Sequence, residues 1–179
     1  MASTITRPIT VEEFAKFPET GAYICELRKG EVVQMTRPAF RHVRVQHRIQ
    51  RLLSEAAGDP DAVFIEAPFR PLPEYELRVA DVAYAPQERW NAVSSDGYLS
   101  GAPDLVIEVL SPSNTAAEML EKEQICLENG CREFWIVDLD RRQIKISTPE
   151  GRTATYKFGA AIPLFFAPGK TLAVDAIFG

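Results

Sequence analysis

The sequence is poor in cysteine and histidine, with three of the first and two of the second. Cys25, Cys126 and Cys131 form no CxxC pair and have no metal-ligand context, so they read as free thiols of a reducing cytosol. Two histidines and no GxSxG elbow argue against a serine or cysteine nucleophile. No apolar run reaches the ~18 residues a membrane helix needs. The opening stretch MASTITRPITVEEF lacks the apolar core of a signal peptide. The expectation is therefore a cytoplasmic protein with no membrane partner. Basic residues are also in deficit, 20 Lys and Arg against 25 Asp and Glu, for a net charge of −5. That balance counts against strong non-specific nucleic-acid binding, yet allows a local basic face or a site that recruits cations. Repeats, low-complexity tracts and linkers are missing, so one domain over 1–179 is expected. A chain of that length buries roughly 70% of the surface its unfolded form exposes.

What is present alternates helix and strand signals. Thr10 with Glu13 forms a capping box, predicting a short helix over about 11–17. AYICEL and VVQM flank a glycine-containing turn and read as a hairpin, giving an N-terminal helix-and-hairpin unit over 10–36. Residues 41–57 form the first long helix, with Val45, Ile49, Leu52 and Leu53 as its buried stripe. His42 projects from its first turn onto that stripe, and Gly58 and Pro60 stop it. Arg41, Arg44, Arg48 and Arg51 line an adjacent face, suited to positioning contacts with phosphates or simply solvated.

Four β-type runs follow, at 62–72, 77–85, 103–111 and 132–140. A helix opened by the Thr115–Glu118 capping box and ended near Gly130 joins the last two, which predicts a parallel pair. The core thus spans 41–140, and β segments over 141–179 close the chain. The fold class is α/β or α+β, a mixed sheet covered by helices.

Asp81 interrupts VADVAYA and Glu108 interrupts LVIEVL. A carboxylate within an apolar strand is costly to bury alone. Either acid singly fits an exposed face or a strand end. Two such strands, each supplying one acid, suggest a shared divalent cation, and Mg²⁺ takes one or two carboxylates plus waters. On the following helix, Met119, Leu120, Cys126 and Leu127 define the expected buried face. Lys122 falls at its edge, and Glu123 falls nearer its middle. Asp104, Asp138 and Asp140 read as turn residues, and Glu66 and Glu74 have no lysine to pair with.

PDLVIEVLSPS, followed by EK, ENG and EFWIVD, resembles the Uma2 family, a branch of the PD-(D/E)xK restriction-endonuclease-like superfamily. TVEEF, YICELRKGEVVQM, RVADVAY and FFAPGKTLAVDAIF extend the resemblance over nearly the whole chain. It implies a restriction-endonuclease-like fold and an endonuclease dependent on Mg²⁺ or Mn²⁺, acting on nucleic acid and first of all DNA. Asp81 matches the first acid, although Ala80 stands where the family usually has proline. Glu108 matches the second acid. The usual lysine position falls on Leu110, so Lys122 would serve as a lysine migrated to the next helix. Cys126 stands where the family often has tyrosine. Glu26 and His42 match recurring family positions. The ion would be held by Asp81, Glu108 and the Val109 main-chain carbonyl. Exposed strands and the apolar PLFF segment suggest a homodimer. Two other readings compete: a catalytically inactive nuclease-fold module that binds nucleic acid or protein, and an assembly protein whose acids are satisfied by arginines such as Arg78.

Overall fold

Reciprocal caps set the starts of two helices. Glu13 N–H donates to the Thr10 hydroxyl while the Glu13 carboxylate accepts from Thr10 N–H, opening α1 (Val11–Phe14). The same box at Thr115 and Glu118 opens α4 (Ala116–Glu128). The computed structural model describes residues 7–17, 24–35, 38–72, 74–95 and 97–179. Residues 18–23 and 36 of the expected helix-and-hairpin unit lie outside them. Lys29 (φ 51°) and Gly30 (φ 78°) supply the two positive φ angles that a two-residue turn needs between β1 (Ile24–Arg28) and β2 (Glu31–Met35). A Cβ on Gly30 would also meet Pro8 at 2.4 Å.

Among the described residues the main sheet has seven strands. Along the chain they are β3 (Val63–Arg70), β4 (Arg78–Tyr84), β5 (Leu99–Ser100), β6 (Leu105–Val109), β7 (Glu133–Asp138), β8 (Gln143–Ser147) and β9 (Thr153–Lys157). Their spatial order is β5-β3-β4-β6-β7-β8-β9. The β6–β7 and β3–β5 pairs are parallel and the others antiparallel, which makes the sheet mixed. The expected parallel pair across α4 is present. All five residues of β6 are buried, which explains why LVIEV is an unbroken apolar run apart from its acid.

One face of the sheet carries α2 (Phe40–Ala57), whose Val45, Ile49 and Leu53 pack with Val82, Leu105, Ile107, Trp135 and Val137. The other face carries α4, whose Cys126 packs with Ala80, Ala83, Val106 and Phe134. Gly58 in the left-handed region ends α2, as its sequence position implies.

Three elements were not legible in the sequence: a 3₁₀ turn (Pro60–Ala62), α3 (Gln87–Asn91) and β5. Two further strands, β10 (Ala161–Pro163) and β11 (Thr171–Ala173), pair with each other, and the chain closes in a helix, α5 (Val174–Phe178), rather than in a strand. Val174 and Ile177 pack into the α2-side core. No helix among the described residues is long and apolar enough to cross a membrane.

Candidate active site

The site forms where β4 and β6 part. Their pairing runs from Tyr84 opposite Leu105 to Val82 opposite Ile107 and stops before Asp81 and Glu108. Buried main-chain groups freed by such a parting must find other partners. Here each acid serves the opposite strand. Asp81 N–H donates to Glu108 Oε1 at 3.4 Å, and Val109 N–H donates to Asp81 Oδ2 at 2.7 Å.

A twist in β3 and β4 aims the first acid. Strict alternation would keep Val63, Ile65, Ala67 and Phe69 on one face. Instead Val63 and Ile65 pack on the α2 side, and Ala67 and Phe69 on the α4 side. The inversion centres on Glu66, held at φ 48° within the strand. Flanking pairs Ile65–Val82 and Ala67–Ala80 put Glu66 across from Asp81. β4 inverts likewise, with Ala80 on the α4 side and Val82 on the α2 side. Asp81 consequently meets α2: Gln46 Nε2 donates to its Oδ1 at 2.9 Å, and His42 Nε2 lies 3.1 Å from its Oδ2.

Lys122 reaches the acids from the α4 side. It is 3% exposed, and its three ammonium hydrogens match three acceptors. These are Glu108 Oε2 at 2.9 Å, Glu26 Oε1 at 3.1 Å and the Val79 carbonyl at 2.7 Å. Glu26 is fully buried and also accepts from Val79 N–H (3.0 Å) and Arg28 Nε (2.9 Å). Burial pushes the Glu26 carboxyl up, but Lys122, the Val79 N–H, Arg28 and Arg78 outweigh it and hold the group at about 2. Burial also pushes up Glu108. Lys122 opposes it, the Asp81 charge adds to it, and the carboxyl ends at about 8. For Lys122 the balance is reversed: burial disfavours the ammonium, but Glu108, Glu26 and Asp81 raise its pKa above the ordinary value.

Asp81, Glu108, Lys122, Glu26 and His42 thus line one cavity of about 280 Å³, joined by Glu66 and the loop 111–114. The five residues singled out from the sequence converge there, and Val109 lines the same space. The arginine stripe does not line it. Arg41 is tied to Asp140 and the Leu139 carbonyl, Arg48 to the Ile177 carbonyl and Arg51 to Glu55. Arg44 is exposed and has no ion pair among the described residues.

The expected phase of α4 needs correction. Its buried positions are Met119, Lys122 and Cys126, whereas Leu120 is 60% exposed. Glu123 pairs with Lys145 at 3.0 Å, not with Lys122. Polar partners inside the fold rotated the helix away from its apolar stripe. Arg78 pairs with Glu76 at 2.7 Å and approaches Glu26 at 3.7 Å, so it satisfies neither site acid. Asp104 pairs with Arg89, and Asp138 caps the β7–β8 turn, as structural residues. The sequence did not point to Gln46 or Val79, and Glu66 was set aside there for want of a lysine. Gln46 left a readable signal, since it lies four residues after His42 on an otherwise apolar stripe.

The donor set suits a hard divalent ion. Among the described residues, Glu108 Oε1 carries only the long Asp81 N–H contact, and the buried His42 ring nitrogens have no hydrogen-bond partner. No group of three or more His, Cys, Asp or Glu could hold a metal among the described residues. Two carboxylates supplemented by water is the pattern Mg²⁺ accepts.

The Uma2 family model, described as "Putative restriction endonuclease", matches residues 11–176. A crystal structure from Anabaena variabilis, described as a "putative nuclease belonging to DUF820", shares the fold with a TM-score of 0.78. The two chains are 24% identical over 96% of this chain and 98% of that one. No curated protein matches the chain. Because the family match spans the whole seven-stranded sheet and both helices that build the site, the chain belongs to the Uma2 family.

Proposed function

We propose that the protein is a metal-dependent endonuclease that hydrolyses phosphodiester bonds of nucleic acid, DNA in the first instance. Mg²⁺ or Mn²⁺ would be held by Asp81, Glu108 and the Val109 main-chain carbonyl. The observation that carries this reading is the reciprocal bracing of Asp81 and Glu108, which sets two carboxylates side by side against one buried ammonium. Family membership and the nuclease fold support it.

A bound ion would polarise a phosphate oxygen and acidify a water. The remaining work falls to side chains. Asp81 is oriented by the Val109 N–H and Gln46 and needs little reorganisation. Glu108 must give up the proton that burial favours, so cation and proton compete for it. Lys122 stays charged and either orients the water or offsets charge in the transition state. Glu26 is a positioning residue, since it touches Lys122 from behind.

A panel of DNA and RNA substrates with Mg²⁺ and Mn²⁺ tests the proposal. Cleavage is expected to need the divalent ion and to fall at least about a hundredfold in Asp81→Ala, Glu108→Ala and Lys122→Ala. Cleavage unchanged in all three variants would exclude this site. A second reading, a binding module without catalysis, is favoured by one fact: every Lys122 hydrogen already has a protein acceptor. Nucleic-acid binding without ion-dependent cleavage, untouched by Glu108→Ala, would select it.

A further inference from the structure

We propose that the first turn of α2 and His42 form a phosphate-binding subsite that seats a backbone phosphate of nucleic acid beside the Asp81–Glu108 pair. Assigning that phosphate to nucleic acid rests on the nuclease reading. The 18-residue α2 begins at Ala39 with no side-chain cap and no acid in its first turn. α1 and α4, by contrast, are closed by capping boxes. His42 N–H and Val43 N–H both reach the Ala39 carbonyl, at 2.9 and 3.2 Å, but the Phe40 and Arg41 N–H groups have no acceptor among the described residues. Such an end carries about half a positive charge and presents free donors to an anion. Pro38 and Ala39 line the same cavity as the two acids, so this end opens onto the site.

His42 is the independent observation. It is 8% exposed, lines that cavity, and has no hydrogen-bond partner at either ring nitrogen among the described residues. Its Nε2 lies 3.1 Å from Asp81 Oδ2 but off the line of a hydrogen bond. An imidazole always carries at least one N–H, and a buried donor calls for an acceptor. A phosphate oxygen would satisfy it together with the helix end. Phe40, 79% exposed in the same turn, offers a ring face on which a base can stack, which favours a nucleic-acid strand over a free phosphate.

Ala39→Asp provides the test. Ala39 already has the extended backbone of an N-cap, so aspartate would cap the helix and stabilise the fold while placing a negative charge where the phosphate sits. Inorganic phosphate and a short DNA duplex are titrated separately, without divalent ion, with amide NMR as the readout. In the wild type both are expected to shift the Phe40 and Arg41 amides saturably. In Ala39→Asp both affinities fall at least tenfold while Tm is unchanged or higher. His42→Phe, which keeps a ring without its donors, weakens phosphate binding severalfold.

Unchanged binding in Ala39→Asp, or shifts confined to other surfaces, overturns the subsite even if the wild type cleaves DNA. Shifts with phosphate but none with the duplex overturn its assignment to nucleic acid. Expected shifts without any ion-dependent cleavage leave the subsite standing and remove the nuclease reading instead.

Discussion

Glu108 and Glu26 sit on the same ammonium and titrate in opposite directions. The Glu108 carboxyl is raised from 4.5 to about 8, so the folded chain holds a proton that the unfolded chain releases. Its contribution to stability is complete below about pH 4.5 and is lost as pH rises through about 8. Glu26 is lowered from 4.5 to about 2, so its contribution is present above about pH 4.5 and is lost as pH falls through about 2. The metal-free protein is therefore expected to lose Tm between about pH 5 and 8, and Glu108→Gln should flatten that limb. A wild-type limb that is flat, or one that persists in Glu108→Gln, contradicts the account. Glu66 gives a second prediction. A left-handed non-glycine residue costs about 1–2 kcal/mol, close to what glycine loses in chain entropy, so Glu66→Gly should leave stability within about 1 kcal/mol of wild type. Glu66→Val, β-branched at φ 48°, should destabilise by roughly 1–3 kcal/mol in denaturant melts. Asp81 and Glu108 were legible in the sequence because an acid in an apolar strand needs a reason. Glu66 was not, because its backbone angle comes from a twist shared with the neighbouring strand.

At the scale of elements, capped and periodic segments could be read from the sequence, and short or rotated ones could not. The α4 boundaries follow from Thr115, Glu118 and Gly130, but its phase does not, since Lys122 is buried by acids that come from β1 and β6. Thr115→Ala should cost about 1 kcal/mol and lower Tm by about 2–4 °C. Loss of activity in that variant beyond its loss of folded protein would imply that the cap also shapes the loop 111–114. Lys122→Ala leaves Glu26 and Glu108 without their shared cation and should cost about 3 kcal/mol or more. Its activity must therefore be compared with its Tm. α3 and β5 escaped notice because five-residue and two-residue elements have too little periodicity to register.

Across the whole molecule, the mixed sheet with a helix on each face follows the expected class, and the parting of β4 from β6 opens the candidate site in that architecture. Within the apolar PLFF segment, Phe166 stacks on Tyr84 with ring centroids 4.0 Å apart, and Leu164 is buried. With a net charge of −5 and three of the four stripe arginines engaged internally, the arginine stripe offers little free positive charge to a polyanion. Joint binding of one divalent ion by Asp81 and Glu108, as proposed, is decided by calorimetric titration of Mn²⁺ into the metal-free protein. One ion per chain is expected in the wild type, with binding lost in both Asp81→Ala and Glu108→Ala. No binding by the wild type, or equal binding by the two variants, would contradict it.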